Sequence, residues 1–402
     1  MSRLLVVAMN YAPEPSGTAP FTTRLAEHLA EEHDVTVMAG VPHYPEWRVR
    51  SGYRRWRSDR TESGVHVRRL RHAVPRRPTH LSRLRHELTF VARVLTQRVR
   101  RPAAVIAVSP PLFGAAAALA LGRRFGVPVG VVVQDLYSQG VRELSGHGRG
   151  TLADAVARLE SRILRSATSV LVIHELFRRR VRTELGVPDE RITTVFNWAH
   201  IAPSTADRQA VRSRLGWDGR RVTLHAGNMG AKQGLENVVD AARLAAESDP
   251  DLLFVLLGGG HQLQVLRERA AGLPNLHFLP SADDREFADT LAAADVLVVN
   301  ERPGVAEMSV PSKITSYCAA GRPIVAATDP DGATADLIRT AAAGHVVPAG
   351  EPHALLAAVR QLADDDAVAA ELGANGRRFA QDRLSAQGAM RAYDAWVSQL
   401  LQ

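Results

Sequence analysis

Two kinds of hydrophobic pattern alternate along almost the whole chain. Short continuous apolar runs predict strands that are buried on both faces, and longer stretches with apolar residues at helical spacing predict amphipathic helices. The strands predicted in the first half are 4–9, 34–39, 65–70, 104–108, 129–134, 169–173 and 192–196. Those predicted in the second half are 222–225, 252–257, 276–279, 296–300, 324–327 and 346–348. This alternation predicts the α/β class, with parallel sheets covered by helices.

The periodicity is lost between residues 197 and 219, which indicates a junction between two domains. We expect a Rossmann-like domain over 1–200, a linker over 201–219 and a second Rossmann-like domain over 220–380. A helix is predicted over 381–402, and its return to the first domain is one arrangement open to it. Two doubly wound domains of this kind have parallel sheets facing across a cleft, so we expect function in that cleft.

The stretch from Leu224 to Glu236 has the pattern of a strand, a glycine-rich loop and a helix start. Gly227, Asn228 and Gly230 lie in the loop. Glycines let a backbone approach a ligand closely, and the free N–H groups and dipole of a helix start favour an anion. The expected anion is a phosphate group.

Lysine usage points to the same loop. Lysine and arginine total 50, yet only Lys232 and Lys313 are lysines, and both lie in loops that precede predicted helices. A lysine is a compact point charge, whereas an arginine is a planar fork, so a tight phosphate pocket can require the former. The alternative is that two rare residues lie there by chance.

Other candidates in the second domain follow the same logic. Gly258 and Gly259 end a strand and form a second loop that a ligand can approach closely. Ser312 and Lys313 mark a helix start, where a cation is disfavoured unless an anion joins it. Glu307 could orient the hydroxyls of a sugar, or it could be a solvated loop carboxylate.

The first domain offers candidates for an acceptor site. Glu14 and Gly17 lie in a polar loop after the first strand, without the glycine fingerprint of a dinucleotide fold. His43, Glu46 and Trp47 lie in the loop after the second strand. Aromatic and polar loop residues suit contact with a sugar, although a loop packed for its own stability fits the same residues.

Asp135 follows the predicted strand 129–134, at its carboxyl end. A carboxylate at this point of a parallel sheet faces the ligand crevice and could hold the hydroxyl of an acceptor. An N-cap or a turn former is the structural alternative.

Composition limits the class of protein. The chain has 402 residues, 46% hydrophobic and 23% charged, which fits a globular protein of two domains. Its one cysteine, Cys318, cannot form an internal disulfide, fits a reducing cytoplasm and is expected to be a core thiol. No metal site, nucleophile elbow or signal peptide is evident, and prolines at 110 and 111 divide the apolar stretch 103–121, which argues against a membrane span.

Positive charge is concentrated in one segment. Residues 48–101 contain 17 arginines and three acidic residues, which gives this segment a charge of +14. The net charge of the whole chain is only +8, so the rest of the chain is acidic on balance. One predicted helix in this segment carries an apolar stripe made of Leu81, Leu84, Leu88, Val91 and Leu95. A basic amphipathic helix suits the surface of an anionic membrane, and a solvated arginine-rich face is the alternative. No nucleic-acid motif accompanies the charge, so nucleic acid is not expected as a partner.

Several stretches, in their order along the chain, resemble retaining glycosyltransferases of family 4 with the GT-B fold. The bacterial enzymes of colanic-acid and O-antigen assembly are the most similar subgroup. The stretches are 10–15 (NYAPEP), 45–47 (PEW), 196–198 (FNW), 227–236 (GNMGAKQGLE), 310–313 (VPSK) and 319–323 (AAGRP).

The resemblance implies a nucleotide-sugar donor, a UDP-sugar, on the second domain and a hydroxyl acceptor on the first. Lys232 matches the lysine that contacts the donor diphosphate in this family. Asn228 stands where most members carry an arginine, so Lys313 is expected to supply the missing charge. The two glutamates that the family carries eight positions apart correspond to Met308 and Ser316. Ser316 remains a candidate for the donor site.

The mechanism implied by the resemblance uses neither a metal nor an enzyme nucleophile. The acceptor hydroxyl attacks from the face that the diphosphate leaves, so the configuration is retained. The acceptor is expected to be a saccharide linked to polyprenyl diphosphate, and the enzyme to lie at the inner face of the cell membrane. Two alternatives are a glycosyltransferase for a small soluble metabolite and a non-catalytic nucleotide-sugar or membrane-binding protein. A sugar-nucleotide epimerase would need acids and bases that the sequence does not show around the donor sugar.

Overall fold

The computed structural model describes residues 1–15, 17–44, 46–76, 79–138, 151–198, 201–304 and 313–402. The chain divides into two compact units. The first unit comprises Met1–Asn197 together with Ala389–Gln402, and the second comprises Trp198–Gly388. The segment 201–219, expected as a linker, lies within the second unit.

The first unit is built on a sheet of eight strands in the order β3-β4-β2-β1-β5-β6-β7-β8. The strands are β1 Arg3–Ala8, β2 Asp34–Gly40, β3 Arg57–Glu62, β4 Val65–Leu70, β5 Ala104–Ser109, β6 Val129–Val133, β7 Ser169–Val172 and β8 Ile192–Thr194. All neighbours are parallel except β3 and β4, which are antiparallel. The sequence pattern did not predict β3, because its residues RSDRTE contain no hydrophobic side chain. The expectation of a wholly parallel sheet is therefore corrected at this edge.

Helices pack on this sheet and bury its central strands. They are α1 Ala19–Leu29, α2 His80–Leu95, α3 Leu112–Phe125, α4 Thr151–Arg165 and α5 Glu175–Thr183. The core joins apolar side chains of the central strands to those of α2 and α3, and every residue of β5 is buried. Strands buried on both faces consist of continuous apolar residues, which is why the sequence predicts them.

The second unit has a parallel sheet of six strands in the order β11-β10-β9-β12-β13-β14. The strands are β9 Arg221–Asn228, β10 Leu252–Gly259, β11 Leu276–Leu279, β12 Val296–Asn300, β13 Ile324–Thr328 and β14 Gly344–Pro348. The helices are α6 Arg208–Leu215, α7 Glu236–Ser248, α8 Leu263–Arg269, α9 Asp284–Ala293, α10 Lys313–Ala320, α11 Ala333–Ala341, α12 Pro352–Asp364 and α13 Asp366–Arg383. The prediction of two doubly wound α/β units is confirmed.

The helix α6 lies in the segment that sequence analysis treated as a linker. Asp207 caps its first turn by accepting a hydrogen bond from the Ala210 amide at 2.8 Å. The buried guanidinium of Arg212 donates to the Ala293 carbonyl at 2.7 Å and to Asp295 at 3.1 Å, which attaches α6 to the end of α9. An arginine that is buried by its bonds gives no apolar signal, and this explains why the helix was missed.

The last helix, α14 Ala386–Leu400, packs on the first unit. Its Trp396 is 1% exposed and lies so close to Gly130 of β6 that a Cβ there would be 2.5 Å from the indole ring. The indole Nε1 donates to Ser169 Oγ at 2.8 Å. Asp394 lies 2.8 Å from Nε2 of His28 in α1. The carboxyl-terminal segment therefore completes the fold of the first unit.

Two smaller expectations concern apolar residues. Cys318 is fully buried, which confirms the core thiol, and burial raises its pKa to about 12. Among the described residues, no helix combines the length and the apolar character that crossing a membrane requires.

Candidate functional site

The glycine loop of the second unit lies at the carboxyl end of two paired strands. Gly227 of β9 pairs with Gly258 of β10, and both have positive φ angles, 133° and 129°. A Cβ on Gly258 would lie 2.1 Å from the Gly227 carbonyl oxygen. Only glycine allows this approach, so the two loops form one continuous backbone surface at the end of the sheet.

Polar side chains hold the loop in place. Gln233 Oε1 accepts from the Gly230 amide at 3.1 Å, inside the short 3-10 turn that precedes α7. Asn300, at the end of β12, donates from Nδ2 to the carbonyl oxygens of Gln233 and Gly234, each at 2.8 Å. Asn237 of α7 donates to Asn300 Oδ1 at 2.8 Å. Asn300 was read only as the end of a strand, because a single buried amide gives no sequence pattern.

Lys313 brings its ammonium group to the same loop. Its Nζ lies 3.6 Å from the position that a Cβ on Gly227 would occupy, and 3.4 Å from Nε2 of His225. His225 is 1% exposed, and its Nδ1 donates to the Val298 carbonyl at 3.2 Å. Its Nε2 therefore carries a lone pair that can accept from Lys313. Burial, together with the charge of Lys313, holds the pKa of His225 well below its usual range, so the imidazole is neutral.

A buried carboxylate lies in the field of Lys313. Glu301 is 3% exposed and accepts hydrogen bonds from the hydroxyl groups of Thr328 and Thr334. Burial raises the pKa of Glu301, while the two hydroxyls and the charge of Lys313 act in the opposite direction. The ammonium group of Lys313 thus lies beside a neutral histidine and interacts electrostatically with a buried carboxyl group.

The other predicted residues of the second unit differ in their exposure to solvent. Lys232 and Asn228 are exposed, and the Lys232 carbonyl accepts from the Arg302 amide at 2.8 Å. Ser316 is half-buried, one helical turn after Lys313. Gly259 is also half-buried. Glu307, Met308 and Ser312 lie outside the described residues.

In the first unit, Glu14 has a role that the sequence did not show. Its carboxyl group is 4% exposed, and Oε1 accepts from the amides of His43 and Tyr44 at 2.7 and 2.8 Å. Oε2 accepts from Asn10 Nδ2 at 2.8 Å. Glu14 therefore positions the loop after β2.

The remaining acceptor-site candidates occupy different environments. His43 is buried, with 2% of its surface exposed, while Trp47 is half-buried and packs its ring edge against His43 at a centroid distance of 5.8 Å. Glu46 is exposed and lies 3.9 Å from Arg50. Gly17 has a φ angle of 68°, and Asp135 is half-buried, two residues beyond β6.

One cluster in the first unit was not predicted at all. His43, His72 and His86 come from three separate segments, and one ring nitrogen of each lies within 4.8 Å of the others. The sequence analysis found no metal site because these histidines have no motif spacing. The structure shows a group of side chains that could hold a metal ion.

Two family descriptions match the chain, one in each unit. Residues 16–198 match the Glycosyl transferase 4-like domain. Residues 220–365 match Glycosyl transferases group 1. The glycine loop and Lys313 lie within the second range, and the histidine cluster lies within the first.

Curated relatives cover most of the chain. The chain is 32% identical to the protein named "Putative colanic acid biosynthesis glycosyl transferase WcaI" of Escherichia coli (strain K12). The match covers 79% of this chain and 81% of the relative. The chain is also 28% identical, over 67% of its length and 70% of the relative, to the alpha-D-kanosaminyltransferase of Streptomyces kanamyceticus.

A solved structure shares the fold of the whole chain. The crystal structure of Anabaena Alr3699/HepE in complex with UDP superposes with a TM-score of 0.72 at 15% identity. The match covers 99% of this chain and 100% of the other. At this identity the comparison concerns the fold.

Proposed function

The chain belongs to the glycosyltransferases of family 4 with the GT-B fold, and from this premise we propose that it transfers a sugar from a UDP-sugar to a hydroxyl group of an acceptor saccharide. The observation that carries the proposal is the ammonium group of Lys313 beside the glycine loop of Gly227 and Gly258. A point charge and a glycine backbone at helix starts are what a diphosphate requires.

The donor diphosphate is held by two lysines of unequal accessibility. Lys313 is fixed behind the loop by its contact with neutral His225, and Lys232 is exposed on the loop itself. Because His225 carries no charge, it positions the ammonium group without adding a competing cation. The protein therefore supplies the positive charge that neutralises the leaving diphosphate, and we propose that the transfer needs no divalent metal.

The reaction proceeds with retention of configuration. The bond between the anomeric carbon and the diphosphate oxygen breaks, and the acceptor oxygen forms its bond to that carbon on the same face. The hydroxyl proton passes to the departing phosphate oxygen. Lys313 and Lys232 stabilise the charge that develops on the diphosphate. A product with the inverted anomeric configuration, seen in its NMR coupling constants, contradicts this step.

The acceptor is a saccharide linked to polyprenyl diphosphate, in the assembly of a cell-surface polysaccharide. The support is the name of the Escherichia coli relative, which places that protein in colanic acid biosynthesis. The second candidate acceptor, left open by the sequence, is a small soluble metabolite. Extraction of the radiolabelled product into organic solvent distinguishes the lipid-linked product from the soluble one.

The first unit presents a surface that suits an anionic membrane. On α2, the side chains of His86, Phe90 and Val94 are buried in the unit. An opposite apolar face is exposed and consists of Leu81, Leu84, Leu88 and Leu95, with exposed fractions of 77, 38, 45 and 38%. Arg83 and Arg85 of the same helix are exposed, so α2 combines exposed apolar side chains with positive charge. We expect the enzyme to bind the inner face of the cell membrane through α2.

The membrane contact is tested by sedimentation with vesicles of phosphatidylglycerol and phosphatidylcholine at low salt. The wild type should pellet with these vesicles, and a Leu84→Glu, Leu88→Glu variant should stay largely in the supernatant. Both leucines are exposed, so the variant should keep the melting temperature of the wild type. Equal pelleting of the two proteins contradicts the assignment.

The donor is tested by thermal unfolding of the purified protein with UDP, GDP, dTDP and ADP, each alone. A nucleotide at 100 times its dissociation constant should add about 2.7 kcal/mol of stability. We expect the rise with UDP. A slow hydrolysis of the matching UDP-sugar without acceptor then separates an enzyme from a non-catalytic binding protein.

A further inference from the structure

Three buried histidines meet in the first unit, outside the residues proposed to hold the donor. His43 follows β2, His72 follows β4, and His86 lies on α2; their exposed fractions are 2, 7 and 4%. The ring centroids are separated by 5.3 Å from His43 to His72, 4.8 Å from His43 to His86 and 4.7 Å from His72 to His86. Three imidazoles are thus packed against one another away from water.

Each ring uses the same nitrogen for a backbone hydrogen bond. The Nδ1 of His43 lies 2.9 Å from the Val41 carbonyl oxygen, that of His72 lies 3.2 Å from Leu70, and that of His86 lies 2.6 Å from Ala73. A carbonyl oxygen only accepts, so each Nδ1 carries the proton and each Nε2 keeps its lone pair. This is the arrangement of metal-binding histidines, in which a partner on one nitrogen orients the other.

One of these lone pairs has no partner within the described part of the chain. Nε2 of His72 is buried and has no hydrogen-bond partner among the described residues. An unprotonated imidazole nitrogen is the atom that binds a metal ion, and the carbonyl contacts of the three Nδ1 atoms assign that role to Nε2.

The surroundings fix the rings where they are. Glu14 holds the backbone amide of His43, and Trp47 packs against the rings of His43 and His86. A Cβ on Gly40 would lie 2.7 Å from Cε1 of His72, so the glycine leaves room for that ring. A cluster that only filled the core would not need three adjacent imidazoles whose Nδ1 atoms all face backbone carbonyl groups.

We propose that His43, His72 and His86 bind one divalent transition-metal ion, with Zn²⁺ as the expected occupant. Imidazole nitrogens suit zinc at about 2.0–2.1 Å, and in a tetrahedral site they lie about 3.4 Å apart. The nitrogens here lie within 4.8 Å of one another, so binding draws the rings together slightly. A water molecule completes the four ligands. The ion joins the loop after β2 to β4 and α2, and it is independent of the proposed donor chemistry.

The test is the metal content of the full-length protein and its affinity for added Zn²⁺. The wild type is stripped with a chelator, dialysed and titrated with Zn²⁺, and bound metal is counted by mass spectrometry. We expect one zinc ion per chain in the wild type and at least a 100-fold weaker affinity in His72→Asn and His86→Gln. The control is His66→Asn, because His66 is an exposed residue of β4. Equal affinity in the wild type and both cluster variants, or no binding by the wild type, overturns the proposal.

A second measurement covers the case in which the cluster variants fail to fold. Co²⁺ replaces zinc in such sites and shows visible absorption that reports tetrahedral coordination. We expect this absorption in the wild type, its removal by added Zn²⁺, and a rise of the melting temperature with either ion. Only weak octahedral absorption, with no effect of Zn²⁺ on the melting temperature, overturns the proposal without using any variant. Transfer of sugar plays no part in either result, so failure of this site and failure of the proposed function are distinct.

Discussion

Lys313 differs from an ordinary surface cation in what surrounds its ammonium group. The nitrogen lies beside the glycine loop and 3.4 Å from Nε2 of the neutral His225, and its charge acts on the buried Glu301. A lysine ammonium is a compact point charge, whereas an arginine guanidinium is a planar fork, so the two are not interchangeable at this position.

Lys313→Met should lower kcat about 100-fold, because the charge that stabilises the departing diphosphate is lost. Lys313→Arg should recover only part of that loss, since the charge is restored without the shape. Initial rates with a UDP-sugar and a fixed acceptor measure both effects, and circular dichroism shows that the variants are folded. An unchanged kcat in Lys313→Met contradicts the role of this residue.

The paired glycines allow a matched comparison of neighbours. Gly258→Ala places a Cβ 2.1 Å from the Gly227 carbonyl oxygen at a φ angle of 129°, so the strand ends must separate. We expect a loss of about 2 kcal/mol and a melting temperature lower by about 4–8 °C. Gly259→Ala meets only Ser281 Oγ, at 3.6 Å, and its melting temperature should stay near that of the wild type. Similar melting temperatures of the two variants contradict the argument.

The buried ring of His86 gives a pH dependence of stability. Its folded pKa of about 4 lies below the unfolded value of about 6.5, mainly because of burial, which outweighs the hydrogen bond to the Ala73 carbonyl; the nearby Arg83 also lowers the pKa. The unfolded chain therefore takes up the proton first. The stability is complete above about pH 6.5 and is lost as the pH falls toward about 4, by about 3 kcal/mol.

His86→Gln should reduce this acid sensitivity. With a chelator present, its melting temperature should fall less between about pH 6.5 and 4.5 than that of the wild type. His66→Asn changes an exposed ring and should keep the wild-type slope. If the melting temperatures of the wild type and of His86→Gln fall equally with pH, the pKa of His86 is close to its ordinary value.

At the scale of elements, the sequence predicts what is apolar and periodic. The buried strands were predicted in this way, whereas the glycine loop and Lys313 were predicted from the placement of glycines and the rarity of lysine. The edge strand β3 and helix α6 were missed, since one is polar and the other is attached by the bonds of Arg212. The leucine stripe of α2 is visible in the sequence, but only the structure shows that its leucines are exposed and that Phe90 and Val94 face the core.

The buried polar groups of the sites could not be predicted for a related reason. His225, Asn300 and Glu301 lie in or just after strands whose other residues are apolar, and each gains its role from a partner distant in the sequence. The three histidines of the first unit are brought together only when β2, β4 and α2 pack. Such contacts depend on the register of the sheet, which a single sequence does not specify.

Two tryptophan substitutions, one buried and one exposed, test the attachment of α14 to the first unit. Trp396→Ala empties a site that is 1% exposed and removes the hydrogen bond to Ser169, so we expect a loss of about 3–5 kcal/mol. Trp56 is 68% exposed and stacks with Arg71 and Arg93, so Trp56→Ala should cost only about 1 kcal/mol. Thermal unfolding followed by near-ultraviolet circular dichroism measures both. Equal effects would mean that α14 contributes little to the first unit.

At the scale of the whole molecule, the distribution of charge bears on the membrane contact that we propose. The local charge of +14 over 48–101 exceeds the total of +8, so attraction is directed to the segment that contains α2. Attraction of this kind weakens with salt, because the screening length falls from about 10 Å at 0.1 M to about 3 Å at 1 M.

Binding to anionic vesicles should therefore decrease by at least tenfold between 0.05 and about 0.5 M salt. Vesicles of phosphatidylcholine alone serve as the control and should bind weakly at every salt concentration. Sedimentation at a series of lipid concentrations gives the affinities. Strong binding to neutral vesicles, unchanged by salt, would assign the contact to the apolar face alone.

The packing of α14 on the first unit sets the order in which the chain can be completed during translation. Residues 198–388 are synthesised before Trp396 can cover Gly130, so the second unit leaves the ribosome while the first still lacks a helix. Domains usually fold in the order in which they are made. Here the first unit begins to be synthesised first but can complete its fold only last. A nascent chain halted before residue 386 would leave the side of β6 at Gly130 uncovered and accessible to chaperones.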